Sequence, residues 1–320
     1  MAQRIANSGF NNWTPDRLPD LTGKRYLITG GNAGLGFEAA RMLANENADI
    51  VIASRNPTKV QSAVADLQGL GPGRIDGVTL DLSNMQSVRR AAAEIRERFD
   101  GFDAIINNAG VMQTPEQRTA DGLELQLATN HLGHFLLDGL LFDLVENRGG
   151  RVVAVASIVH KRGQMHFDDL MLSDSYRPTR AYAQSKLANL LFAFELDRRL
   201  KAVGSAVQSI ACHPGYAATN LQTTGPTGAM RALYQVLNRL FAQSAKAGAV
   251  PLVLAAAGAE AKAGAYYGPT GSFDAGGPVG DAAVAEAALD QSSAARLWAA
   301  SERLVGFDWS DVFKEASAPT

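Results

Sequence analysis

Short apolar runs alternate with amphipathic segments of helix length along most of this chain, and that alternation leaves few folds open. The runs are Arg25 to Thr29, Ile50 to Ser54, Gly77 to Leu82, Asp103 to Asn107, Arg151 to Ser157 and Ala206 to His213. Between them the spacing predicts helices over Gly34 to Asn47, Pro57 to Leu67, Met85 to Phe99, Asp121 to Asn147 and Thr179 to Val203. The run from Arg151 to Ser157 is apolar nearly throughout, as expected of a strand covered on both sheet faces. Strict strand–helix alternation implies right-handed crossovers and a mainly parallel, doubly wound α/β sheet with helices on both faces. The 320 residues, 46% of them hydrophobic, suffice for one large core. No internal repeat is visible, and the Gly/Pro-rich stretches at 223–228 and 268–280 read as loops within one domain.

Charge and cysteine usage narrow the setting. With 30 basic and 32 acidic residues spread along the sequence, the net charge is -2, and no basic block suggests a nucleic-acid surface. One cysteine, Cys212, excludes an internal disulfide and fits a reducing compartment. The polar start from Met1 shows no charged-then-apolar leader, and no apolar run approaches twenty residues, so a cytoplasmic protein without a membrane span is expected.

The first strand is followed by Thr29-Gly30-Gly31-Asn32-Ala33-Gly34-Leu35-Gly36 and then a helix. Glycines at such a turn let the backbone approach a pyrophosphate, which the helix N-terminus also attracts. The competing reading is a glycine-rich turn with no ligand. At the end of the second strand, where a carboxylate would accept the ribose hydroxyl of NAD, stand Ser54 and Arg55. A guanidinium pairs with a 2′-phosphate that a carboxylate would repel, so NADP(H) is the expected cofactor. That preference rests mainly on Arg55, because neither Asn32 nor Ala33 supplies a second cation. Asp81 and Leu82 close the third strand, where a carboxylate can accept from an adenine amino group. Asn107, Asn108, Ala109 and Gly110 close the fourth. Each alone reads as a turn; together they line the edge where doubly wound sheets bind ligands.

Tyr182 and Lys186 lie four residues apart in a predicted helix, on one face and about one turn from each other. A cation beside a phenol favours the phenolate, so the pair suits proton transfer near neutrality. Taken with T-G-x-x-x-G-x-G, N-N-A-G, Asn130, Ser157 and His213-Pro214-Gly215, the chain resembles the short-chain dehydrogenase/reductase family over residues 22 to 306. Asn130-His131-Leu132-Gly133-His134-Phe135, Ser185 to Asn189 and the 25 positions from Ser157 to Tyr182 resemble its retinol-dehydrogenase-like branch. Ala295-Arg296-Leu297-Trp298 and Ser301 to Gly306 also resemble that branch's C-terminal helix. Protochlorophyllide reductases share the resemblance.

The resemblance implies a single-domain Rossmann fold, with residues 1–21 as an N-terminal extension and 307–320 as a C-terminal tail. It implies an alcohol–carbonyl oxidoreductase with hydride transfer to the pro-S face of the nicotinamide. Tyr182 is then the acid/base, and Lys186 tunes it and holds the nicotinamide ribose. Ser157 holds the substrate oxygen, and Asn130 supports a water-linked relay through Lys186. Pro214, Gly215 and Thr219 resemble the segment that grips the carboxamide and pyrophosphate. Residues 216–245, carrying Leu221, Met230, Leu233, Tyr234, Leu237 and Phe241, resemble a lid over a hydrophobic small-molecule substrate. The insert Ile158 to Arg180 is expected to form another wall, with Val159 and His160 nearest the chemistry. Two alternatives remain open: reduction of an activated C=C bond, and an NADP(H)-binding regulator without catalysis. Relatives often pair through the tyrosine-bearing helix, which makes a homo-oligomer a further expectation. His131 and His134, i and i+3 with no third ligand, point to no metal. Leu297, Trp298, Ser301, Leu304 and Val305 have the spacing of a helix docked on the core.

Overall fold

The computed structural model describes residues 2–215 and 244–316. Among the described residues, eight strands form one sheet in the order β4-β3-β2-β5-β6-β7-β8-β9. They are β2 (Arg25–Thr29), β3 (Asp49–Ser54), β4 (Ile75–Thr79), β5 (Ala104–Asn107), β6 (Arg151–Val155), β7 (Gln208–Cys212), β8 (Tyr266–Pro269) and β9 (Val279–Asp281). All neighbours pair parallel except β8 and β9, an antiparallel edge. A separate two-stranded ribbon joins β1 (Gln3–Arg4) to β10 (Ala283–Val284).

Alternate residues of each strand bury on opposite faces, as the two-residue pleat requires. Leu27, Val51, Ile105 and Val152 enter one core, with α3 (Met85–Arg98), α5 (Gly133–Leu140) and α7 (Pro178–Val203). Ile28, Ile52, Ile106 and Val153 enter the other, with α1 (Gly34–Asn45), α2 (Pro57–Leu67) and α8 (Ala245–Ala257). Local chemistry sets the helix starts. The Asn56 side chain accepts from the Lys59 N–H, with Pro57 in the first turn of α2, and Asn84 caps α3 through the Ser87 N–H. Helix α7 ends at Gly204, whose φ of 71° closes it in the left-handed region.

Three expected elements differ from those observed. The third strand begins at Ile75 rather than Gly77, which pairs with Ile52 inside it. A Cβ on Gly77 would lie 2.4 Å from the Val60 side chain, so this glycine is there for helix packing and not as a strand start. The long helix expected over 121–147 is four pieces: α4 (Leu125–Leu127), a π turn (Ala128–Leu132), α5 and α6 (Phe142–Glu146). Buried Glu124 starts it by accepting from the Gln126 and Leu127 N–H groups. The stretch 268–280 is the end of β8, a turn and β9; the other stretch, 223–228, lies outside the described residues.

Segments near both limits of the described residues pack on this frame. Trp13 is buried, with its indole N–H on Glu260 at 3.0 Å. Helix α9 (Gln291–Val305) buries Leu297, Trp298, Ser301 and Val305, leaving Leu304 half-buried. Past it, Trp309 is fully buried against Phe135, Phe142 and Trp298, followed by α10 (Ser310–Ala316). No described helix is long and apolar enough to cross a membrane.

Candidate active site

A cleft of about 690 Å³ runs along the carboxyl ends of the parallel strands, where each strand's exit loop is free to vary while the sheet fixes its origin. Gly30, Asn32, Gly34 and Leu35 line it from the β2–α1 turn, and Ser54 and Arg55 from the end of β3. Asp81 and Leu82 enter from the loop after β4, Asn108, Ala109 and Gly110 from the loop after β5, and Pro214 and Gly215 from that after β7. Ser157, Tyr182 and Lys186 complete the lining. Thus fifteen of the residues expected at a cofactor, together with Ser157, meet in one cleft. Thr219, and the lid expected over 216–245 except its last two positions, lie outside the described residues.

Two expected residues stand behind the lining. A Cβ on Gly36 would fall 2.5 Å from the Asn108 amide nitrogen and 2.6 Å from the Gly30 carbonyl. Gly36 therefore lets α1 sit directly under the turn. Asn130 lies in the π turn, fully buried. Its Oδ1 accepts from the Val111 N–H at 2.7 Å, and its Nδ2 donates to the Val111 carbonyl and Ser185 Oγ, both at 2.9 Å. The Asn130 side chain thus fixes the loop beside Gly110.

The reactive groups are enclosed. Tyr182 is 6% exposed and Lys186 4%. Lys186 Nζ donates to the Val155 carbonyl at 2.9 Å and lies 6.0 Å from the Tyr182 ring centre. Burial pushes the lysine down to about 8, against a weaker opposing effect of Cys212. Ser157 is two residues beyond β6 and caps a 3-10 turn (Ile158–Arg162) by accepting from the Val159 N–H at 3.3 Å. That bond uses a lone pair and leaves the hydroxyl hydrogen available to a ligand. Val159 lines the cleft as expected. His160 instead turns behind it: Nε2 accepts from the Ala285 N–H, so Nδ1 carries the hydrogen and donates to the Ser157 carbonyl at 2.6 Å. His213 is also structural, accepting from the Gly215 N–H at 3.1 Å.

Sequence reading missed several lining residues. Lys59 stands in the cleft beside Ser54, Arg55 and Asn56, a second cation at the end where Arg55 was the sole candidate. Its signal was Asn56-Pro57: a cap followed by a first-turn proline places residue 59 in the first helical turn, next to the strand end. Met112 and Gln113 also line the cleft, while Ile158 belongs to the wall that was expected. Gln113 holds φ at 52° and is tied by its N–H to the buried Gln126 side chain at 2.8 Å; no local pattern announces it.

The residues present fit a bound dinucleotide. The first turn of α1 opens on the cleft, placing helix N–H groups where phosphate would bind. The packing of Gly36 permits that turn, and two cations stand at the far strand end.

Fold and cleft define a Rossmann-type domain in which a tyrosine–lysine pair lines the cleft at the carboxyl ends of the strands. More narrowly, the chain belongs to the short chain dehydrogenase family, whose model matches residues 24–228, and within it to the retinol-dehydrogenase-like branch. Human retinol dehydrogenase 13 is 38% identical over 295 residues, covering 90% of this chain and 86% of that protein. A crystal structure of an uncharacterised protein from Mycobacterium paratuberculosis superposes with a TM-score of 0.78 at 37% identity, over 93% of this chain and 99% of that one. A short chain dehydrogenase from Burkholderia cenocepacia in complex with NADP shares the fold, with a TM-score of 0.61 at 24% identity over 77% and 96% of the two chains.

Proposed function

We propose that this chain interconverts an alcohol and a carbonyl on an apolar small molecule, with NADP(H) as the redox partner. The observation that carries the reading is the meeting of Ser157, Tyr182 and Lys186 in a cleft whose other end holds Arg55 and Lys59. When bound, the dinucleotide supplies or accepts the hydride. The two cations favour a 2′-phosphate over a bare ribose hydroxyl. In the reducing direction, the Ser157 hydroxyl donates a hydrogen bond to the substrate oxygen and the Tyr182 hydroxyl gives it a proton. The Lys186 ammonium beside the ring stabilises the negative charge left on the phenolic oxygen. The Val155 carbonyl takes one of its three N–H groups and holds the ammonium in place. Met112, Ile158 and Val159 give the substrate end an apolar wall, and human retinol dehydrogenase 13, at 38% identity, is named for an apolar alcohol.

The test is NADPH oxidation over a panel of apolar aldehydes and ketones, with Tyr182→Phe as control and product identification to distinguish C=O from C=C reduction. Turnover in the wild type and its loss in the variant is expected. Tight NADPH binding with no turnover in either would favour the regulator. For the cofactor, Arg55→Ala and Lys59→Ala are each expected to weaken NADPH about tenfold or more while changing NADH little. Equal effects on both dinucleotides would overturn the NADP(H) assignment.

A further inference from the structure

We infer that His134 is a positioning residue that fixes the backbone of Asn130 and ties it to the strand-end loop lining the cleft. The inference rests on the oxidoreductase reading above. His134 is buried, with Nδ1 3.1 Å from the Asn130 carbonyl and Nε2 2.8 Å from Thr29 Oγ1. A carbonyl oxygen only accepts, so Nδ1 carries the hydrogen. In the neutral ring Nε2 is then the acceptor, and the Thr29 hydroxyl donates to it at 2.8 Å in preference to the Ile106 carbonyl, the other acceptor in reach, at 3.3 Å. Burial keeps the ring neutral by pulling its pKa down to about 3, and the nearby Lys186 charge acts in the same direction. With its hydrogen committed, Thr29 Oγ1 accepts from the Asn108 and Ala109 N–H groups, each at 3.0 Å. The result is a continuous run of bonds from the cleft loop Asn108-Ala109, through Thr29 and His134, to Asn130.

The brace sits at the π turn. A π turn moves the backbone ladder by one residue, and here the Gly133 N–H reaches back five residues to the Ala128 carbonyl. The Asn130 carbonyl sits inside that irregular turn and takes a side-chain donor. Asn130 in turn holds both polar backbone groups of Val111, which lines the cleft beside Gly110 and Lys186. Displacing Asn130 therefore moves the cleft wall beside the lysine without touching a ligand directly.

Two substitutions separate the two bonds. In His134→Asn the amide nitrogen lies near the position of Nδ1 and keeps the donor to Asn130, while contact with Thr29 is lost. In His134→Gln the amide oxygen lies near the position of Nε2 and keeps an acceptor for Thr29, while the donor to Asn130 is lost. NADPH affinity by fluorescence titration, kcat and KM against pH, and melting temperature are measured for each. His134→Asn is expected to weaken NADPH about fivefold, the loss of one hydrogen bond, with kcat and its pH profile close to wild type. His134→Gln is expected to keep NADPH affinity and to lower kcat about tenfold, with the pH limb that reports the acid/base displaced. Equal changes in both variants, tracking the melting temperature, would reduce His134 to a packing residue and overturn the inference, as would no change in either. If no carbonyl compound turns over even in the wild type, the oxidoreductase reading fails. The order of NADPH affinities in the two variants still decides the Thr29 arm.

Discussion

Asp138 makes the fold's stability depend on pH in a direction that can be worked out. It lies in α5, buried at 1% exposure, with one oxygen accepting from the Asn107 amide at 2.6 Å. Its other oxygen, Oδ1, and the Asn107 Oδ1 have no hydrogen-bond partner among the described residues. Burial pushes the carboxyl from 3.8 up to about 8, with the Asn107 bond opposing. A raised native pKa means that the folded chain holds a proton which the unfolded chain releases. The stabilisation is complete below pH 3.8 and is lost as pH rises towards about 8. At pH 7 the distance above the unfolded value is roughly 3 units, a loss of about 4 kcal/mol relative to acid. Asp138→Asn removes the titration and keeps an acceptor for Asn107, while its own amide adds a donor. The variant should therefore match wild type near pH 4 and exceed it by about 4 kcal/mol at pH 7, roughly 10 °C in melting temperature. Calorimetric melts of both proteins at pH 4, 5, 6, 7 and 8 measure the difference, and every other titrating group cancels in it. Parallel curves across that range would mean that Asp138 is ionised and solvated in the fold, and would refute the reasoning.

Three further outcomes follow from the same geometry. Lys186 has the opposite linkage: its native value near 8 against 10.5 means a penalty in full below pH 8 that is relieved as pH rises to 10.5. Lys186→Met should then gain about 2 kcal/mol at pH 7, after allowing for the lost bond to Val155. Melts should show the gain vanish by pH 10.5, while turnover is abolished. Gly36→Ala forces a methyl group to within 2.5 Å of Asn108, so a cost of about 1–3 kcal/mol in denaturant melts and at least about tenfold weaker NADPH binding are expected. Trp309→Ala empties the space among Phe135, Phe142 and Trp298 and should cost about 3–5 kcal/mol in the same melts; a loss below about 1 kcal/mol would place the tryptophan outside the cooperative core.

What the sequence disclosed was what local rules govern. Strand β2, helix α2 and the lysine one turn after Tyr182 follow from periodicity, caps and i,i+4 spacing, none of which needs tertiary context. The break in 121–147 depends on Glu124 folding back on two backbone N–H groups and on a π turn, whose period no amphipathic pattern encodes. The pairing of β9 with β8 unites residues whose glycines and prolines resemble a loop. Lys59 was legible in principle from its cap, but only if the helix start was read as part of the strand end. The His134–Thr29 contact spans 105 positions, and the histidine motif alone assigned neither ring nitrogen a partner.

The cleft is chemically asymmetric, and that asymmetry bears on selectivity. At the Arg55 and Lys59 end, the two cations are exposed, so on the proposed reading their charge-assisted bonds to an extra phosphate are screened by water and each worth about 1 kcal/mol. At the Tyr182 end, the described walls near Ser157 are Met112, Ile158 and Val159, with the Gln113 amide among them. An apolar wall separates substrates differing by one methylene by only about 1–3 kcal/mol. In the proposed reaction Ser157 and Tyr182 address the oxygen, a feature common to every alcohol and carbonyl. Discrimination among substrates of similar apolar shape should therefore be shallow. A panel of homologous straight-chain aldehydes tests this directly: kcat/KM is expected to change by no more than about two hundredfold per methylene. A single chain length favoured by several thousandfold would show that a polar contact, and not the apolar wall, sets the choice.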